Sequence, residues 1–208
     1  MHFNLTPTNA GSRIGVLATA ATIATMGLAG SLTSSAQALA PESCADADTP
    51  VEQLTQEAAE AAVVCLVNQQ RSAAGLAELT QAETLTSAAR GHGNDAVEIK
   101  WWNEGDPHVN PITGSTPGDR ITAAGYCPNP ISWMNGENVY WGYSSGAGAV
   151  APTPGAAVSW WMNSPGHRAN ILNPNYTELG VGVVLGTAAP VNANAAATFV
   201  QDFGACTN

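Results

Sequence analysis

The stretch ELGVGV at residues 178–183 alternates between two kinds of side chain, and a period of two is the repeat of a β-strand. Leu179, Val181 and Val183 fall on one face; Glu178, Gly180 and Gly182 fall on the other. The second face has almost no side-chain bulk, so something can approach the backbone there. The expectation is a small hollow with a carboxylate at its edge. Ala197–Phe203 is a second clear strand, and Gly136–Tyr143 also alternates. Helices surround these strands. Ser164-Pro165 opens a short one through Ile171, and Gly155–Asn163 forms another with Ala157, Val158, Trp161 and Met162 as its buried face. Thr116-Pro117-Gly118-Asp119 opens a helix that ends near Gly125. Thr80-Gln81-Ala82-Glu83 reads as a capping box for a helix striped by Leu85, Ala88, Ala89, His92, Ala96 and Ile99. Thr49-Pro50-Val51-Glu52 starts a helix that runs, with a break, toward Ala74, where Gly75 stops it. Residues 144–155 are rich in Gly, Ala, Ser and Pro and read as a surface loop. The order does not repeat as βαβ, which favours an α+β layered domain over a doubly wound sheet.

Composition narrows the function classes. Of 208 residues, 45% are hydrophobic and 11% charged, which excludes a disordered polyelectrolyte and a coiled coil. The net charge is −10. A domain that acidic is repelled by phosphate backbones and by anionic membrane surfaces, so nucleic acid is excluded as a partner. The leader carries one positive charge at Arg13, an apolar stretch from Ile14 to Leu28, and the small-residue site Ala36-Gln37-Ala38. That is the pattern of an export signal, too short for a stable membrane anchor. The expected organisation is a signal over residues 1–38, an N-terminal extension over 39–58 and one domain over 59–208. The expected product is secreted and extracellular, and not an integral membrane protein once the signal is removed. Lys100 stands alone against five arginines, a composition typical of GC-rich bacterial genomes.

Cys44, Cys65, Cys127 and Cys206 follow the leader. An even count in an exported chain implies two disulfides, and three pairings are possible. We favour Cys44–Cys65, tying the N-terminal segment to the first helix, with Cys127–Cys206, tying a loop to the C-terminus. The spacing fits no zinc-ribbon pattern.

Three histidines follow the leader: His92, His108 and His167. His92 lies on the apolar stripe of its helix and reads as a core or supporting residue. Glu137 and Glu178 differ from the other acidic residues, since each is set in an apolar or glycine-rich strand. Ser164 precedes a proline and reads as an N-cap whose hydroxyl serves backbone amides rather than as a nucleophile. No GxSxG elbow supports a serine hydrolase. The pairs Trp101-Trp102 and Trp160-Trp161 read as core and rim packing. Asn175-Tyr176-Thr177 matches a glycosylation sequon.

The segments LVNQQRSAAGL (66–76), GSTPGDRITAAGY (114–126), NGENVYWGY (135–143), WMNSPGHRANILNPNYTELGVGV (161–183) and FVQDFG (199–204) together resemble the CAP superfamily: cysteine-rich secretory proteins, antigen 5 and plant pathogenesis-related 1 proteins. The likeness is greatest to the bacterial secreted SCP-like branch. The resemblance implies a three-layer α-β-α sandwich with a central, mostly antiparallel sheet. It also implies a cleft lined by two histidines and two acidic residues. These fall on His167 in SPGHR, Glu137 in GEN, Glu178 in TELGVG and His108 in the lead-in WWNEGDPHVNP (101–111), which is longer and more polar than is usual in the family. Two neutral imidazoles with carboxylates can hold Zn²⁺ or a similar divalent ion with one position open. The same four residues can instead form a metal-free hydrogen-bond network that holds helices against the sheet.

Three functions follow as expectations. The first is an extracellular binding module for sterols or other small lipids, or for cell-surface or host partners. The second is a metal-dependent hydrolase acting on peptides or cell-wall material. The third is a surface interaction protein with a vestigial site. No nucleophile–base–orienter set can be assembled beyond the four cleft residues, which ranks the enzyme last.

Overall fold

The structure is a computed structural model that describes residues 43–145 and 151–208. The expected export signal, and residues 146–150 of the expected surface loop, lie outside the described residues. A 3-10 turn at Val51–Gln53 leads into α1 (Gln56–Ala73), with Thr55 accepting from the Ala58 amide at its start. β1 (Thr80–Gln81), α2 (Glu83–Ile99) and α3 (Pro117–Ala123) follow, then β2 (Ser132–Ser144), α4 (Pro154–Asn163), α5 (Pro165–Ile171), β3 (Glu178–Leu185) and β4 (Ala195–Thr207). The break expected before α1 falls at Leu54–Thr55. Gly75, at φ +73°, closes that helix. α3 opens at Thr116 as expected, and Thr116 and Asp119 form a capping box there.

The capping box expected at Thr80 does not form. The Thr80 and Ala82 amides are taken by the carbonyls of Thr177 and Leu179, making β1 a two-residue parallel strand beside β3. α2 therefore starts at Ala82 without a side-chain cap. A ladder partner from the far end of the chain wins over the local cap, which sequence periodicity cannot foresee.

The sheet order is β1-β3-β4-β2, antiparallel except for the β1–β3 pair. One face carries Leu179, Val181, Val183, Phe199 and Phe203, packed on Val63 and Val67 of α1 and Val158 and Trp161 of α4. The other face lies under α2. This is the expected three-layer α-β-α sandwich. The glycine face of β3 is not a hollow, however. A Cβ on Gly180 would stand 2.1 Å from the backbone of Leu85 and Thr86, and one on Gly182 would stand 2.5 Å from that of Ala89 and Arg90. The absence of side chains is what lets α2 lie directly on the strand, so the helix occupies the space the sequence left open.

Two buried polar clamps hold the α1 layer. Glu60 accepts from Arg90 Nε (2.8 Å) and Nη2 (2.6 Å) on α2. Arg71, wholly buried, donates from Nε to the Ala77 carbonyl and from Nη1 to those of Ile171 and Asn173, each at 2.8 Å. The disulfides are Cys44–Cys65 and Cys127–Cys206, the favoured pairing. Among the described residues no helix is long and apolar enough to cross a membrane.

Candidate functional site

β2 is an edge strand, and the histidines gather around that edge from opposite layers. His108 comes from the loop after α2. That loop is held by Trp101 Nε1 donating to the Asp106 carbonyl (2.9 Å), by His92 Nε2 donating to the Pro107 carbonyl (2.8 Å), and by Asp106 Oδ1 accepting from the His108 amide. His167 comes from the first turn of α5, where its carbonyl accepts from Asn138 Nδ2 of β2.

Glu137 is the hub. Its side chain is buried; Oε1 accepts from His108 Nδ1 at 2.8 Å and Oε2 accepts from Arg120 Nη2 at 2.6 Å. Arg120 Nη1 also donates to the His108 carbonyl (3.1 Å) and to that of Ser115 (2.8 Å), so one guanidinium fixes both partners. Burial alone would raise Glu137. The hydrogen bond from His108 and the charges of His92 and Arg120 instead hold it below the ordinary carboxylate range. The same hydrogen bond raises His108. His167 is lowered, by burial and then by the charge of His108 nearby. His92, fully buried between the Trp101 and Trp102 rings, is lowered, chiefly by burial.

Ser164 departs from expectation. It is the N-cap residue of α5, but no backbone amide donates to its hydroxyl. Its Oγ shares a 2.7 Å hydrogen bond with His167 Nδ1. With Pro at the first helical position, the hydroxyl turns to the ring three residues on.

Glu178 lies on β3, with β4 between it and β2. Its Oε2 accepts from the Tyr126 hydroxyl at 2.6 Å, and burial together with that bond pushes the Tyr126 hydroxyl well above its ordinary value. The four residues carried over from the resemblance thus divide into a His108–Glu137 pair, His167 beside it in the same cleft, and Glu178 elsewhere. Among the described residues no three or more His, Cys, Asp and Glu side chains are arranged to hold a metal ion. The donor set agrees: both Glu137 oxygens are committed, and Arg120 places a positive charge against the carboxylate that a cation would need. These residues do not fit a four-ligand zinc centre.

Arg120 and Asp202 were not singled out from the sequence. Asp202 pairs with Glu137 across the β2–β4 ladder and is wholly buried. An acidic residue inside FVQDFG was a signal of the same kind as Glu137. Among the described residues no donor meets either Asp202 oxygen, and burial, then the Glu137 charge, raises this carboxyl far above the usual range. It holds its proton to higher pH in the folded chain than in the unfolded one. A raised folded value contributes stability that is full below the unfolded value, about 3.9, and shrinks as pH rises through the folded one. Asp202→Asn is therefore expected to match wild type near pH 3.5 and to exceed it at neutral pH. The gap should widen by roughly 1.4 kcal/mol per pH unit wherever only the unfolded chain ionises. Urea melts across pH check this; a gap independent of pH would refute it.

His108 and His167 open on a cleft of about 550 Å³ at the β2 edge. Trp102, Trp141 and Tyr143 form one wall, with the Trp141 and Tyr143 rings stacked at 5.3 Å. Tyr140 and Trp160 form the other, at 5.3 Å from each other, with Trp160 also 4.9 Å from the His167 ring. Among the described residues no Lys, Arg, Asp or Glu lines it.

The model of the CAP family, the cysteine-rich secretory protein family, matches residues 64–203. This chain belongs to the CAP family. Two relatives come from Bacillus subtilis strain 168. The uncharacterized protein YkwD is 39% identical over 123 residues, which is 59% of this chain and 41% of that protein. The uncharacterized membrane protein YlbC is 34% identical over 128 residues, 62% of this chain and 32% of that protein. The chain thus spans less than half the length of either relative. Among solved structures, an extracellular protein containing an SCP domain from Bacillus anthracis is 26% identical, with a TM-score of 0.51 over 74% of this chain and 41% of that one. An outer surface protein from Borrelia burgdorferi shares the fold at 22% identity, with a TM-score of 0.50 over 70% of this chain and 90% of that one.

Proposed function

We propose that this CAP-domain protein is an extracellular binding module whose ligand sits in the aromatic cleft at the β2 edge. The cleft itself carries the reading: five aromatic rings in two walls, no Lys, Arg, Asp or Glu among the described lining residues, and two histidines whose Nδ1 atoms are already engaged by Glu137 and Ser164. Such a surface buries apolar groups and offers the ring nitrogens as a few fixed polar contacts. Small lipids, sterols among them, and apolar segments of a partner are the two ligand classes it suits. The export-like leader, the two disulfides and the extracellular SCP protein of Bacillus anthracis support an extracellular setting. A metal-dependent hydrolase has weaker support, because the committed Glu137 and its Arg120 partner leave no carboxylate ligand.

Titration of the oxidised protein with sterols, fatty acids, phospholipid vesicles and apolar peptides, followed by tryptophan fluorescence, is expected to shift the emission for at least one class. Trp160→Ala should weaken that response about tenfold or more, in keeping with loss of a buried aromatic anchor. Silence across all four classes would reject the binding module. Chelator-sensitive peptide or cell-wall hydrolysis that is lost in His108→Ala/His167→Ala would favour the hydrolase instead.

A further inference from the structure

Among the described residues the outer edge of β2 is capped in its middle only. Side chains donate to three alternate backbone carbonyls: the Tyr176 hydroxyl to Asn135 (2.9 Å), Asn170 Nδ2 to Glu137 (3.2 Å) and Trp161 Nε1 to Val139 (3.0 Å). The β2–β4 register runs unbroken from Ser132 to Ser144. In an unbulged strand the N–H and C=O of one residue point the same way, and the next residue's point oppositely. The outward set is therefore 133, 135, 137, 139, 141 and 143. Among the described residues no side chain donates to the backbone carbonyl of Trp133, Trp141 or Tyr143, and the last two adjoin each other along the edge. That uncapped stretch is where the aromatic cleft lies.

The side chains obey the same parity. Trp141 and Tyr143 stand on the α2 face, beside Trp102, whereas Tyr140 stands on the α1 face, against Trp160 and Phe199. The two walls of the cleft are thus the two faces of the sheet continued past its edge. One chemistry satisfies all of this at once. An extended polypeptide laid along the edge would pair with the free N–H and C=O groups, and its alternate side chains would meet alternate walls.

We infer that the cleft binds an extended, uncharged polypeptide segment of a partner by strand addition to Trp141–Tyr143. This inference rests on the cleft being the binding site and names the partner class. Among the described residues no Lys, Arg, Asp or Glu lines the cleft, which selects apolar or hydroxylated side chains, since a charge would be desolvated there with no carboxylate or guanidinium to pair it. From Val139 to Tyr143 the edge runs about 13 Å at roughly 3.3 Å per residue, which sets a segment of four to five residues. The capping makes sense of the fold too. An open edge is an aggregation hazard, and the three side-chain donors blunt its middle at residues 135–139.

The experiment is amide NMR with hydrogen exchange on the oxidised domain, titrated with a positional library of uncharged acetylated pentapeptide amides. Members that bind should shift and protect the amides of Trp141 and Tyr143. Backbone N-methylation of the best binder at alternate residues should weaken it at least about tenfold in one register and little in the other. Trp141→Pro, which removes an outward N–H at an edge position where proline is tolerated, should lose binding that Trp141→Phe retains. Should Trp141→Pro fail to fold, the N-methylation pair alone decides. Equal effects of N-methylation in both registers, or no library member acting on these amides, would overturn strand addition. Sterol or fatty acid binding with silent peptides overturns this inference and leaves the binding module standing; silence in every arm removes both.

Discussion

Arg71→Met is expected to lower the unfolding free energy by about 3–5 kcal/mol, since hydrogen bonds from a charged donor are worth about 1.5–3 kcal/mol each and several are lost together. Arg71 is 1% exposed, yet its guanidinium faces carbonyls rather than a carboxylate. Those of Ile171 and Asn173 close the end of α5, and that of Ala77 lies just past α1. Methionine fills the stem of the cavity but takes the donor from the buried Ile171 carbonyl and from the part-buried carbonyls of Ala77 and Asn173. Lysine would be a poor replacement, because a single ammonium cannot match the planar fork that reaches three directions. Urea unfolding of Arg71→Met beside Arg168→Met is the measurement. Arg168 is exposed, and its replacement should stay within about 0.5 kcal/mol of wild type. A similarly small change at Arg71 would show that the clamp contributes nothing.

Gly180→Ala is expected to cost more than about 3 kcal/mol or to abolish folding, beyond the usual range for an overpacked core. The added carbon would sit 2.1 Å from the carbonyl carbon of Leu85 and the amide nitrogen of Thr86. These are backbone atoms of α2, so no rotamer change relieves the contact, and the helix must lift from the sheet. Gly182→Ala should behave alike, at 2.5 Å from Ala89. Gly91→Ala makes the internal control. It lies in the same helix with nothing within 4 Å, and alanine there should stabilise by about 0.5–1 kcal/mol through helix propensity. Thermal melts of the three variants give the comparison. A folded Gly180→Ala protein of near wild-type stability would mean that α2 does not rest on β3 as described.

Much of the fold was legible because it depends on local rules. The period of two in ELGVGV, the stripe on α2, the start of α3 at Thr116 and Gly75 as a helix stop are each written in a few adjacent residues. The family resemblance supplied the layer order. The cysteine pairing followed from treating one bridge as an anchor for the N-terminal segment and the other as an anchor for the C-terminus.

What failed, failed where distant parts of the chain compete. Thr80 could have capped a helix, but a strand almost a hundred residues later takes its amide. The glycine face was read as an open hollow because a sequence shows which side chains are missing, not which backbone arrives to fill the space. Ser164 serves a ring instead of an amide. The site divided in the same way. His108, Glu137 and His167 converge because a loop, an edge strand and a short helix meet around β2. Glu178 stands two strands away, a separation set by the strand order, which no motif records.

The helix and strand periods and the count of two disulfides belong to the sequence, since they follow from local periodicity, cysteine number and export context, and the layer type follows from the family motifs written in it. The tertiary structure alone decided that Arg120 and Asp202 flank Glu137, that α2 fills the glycine face, and that the aromatic rings of 140–143 and 160 straddle an open strand edge. Those facts depend on strand order and on which backbone groups remain unpaired after every long-range ladder has formed, and both are properties of the whole chain.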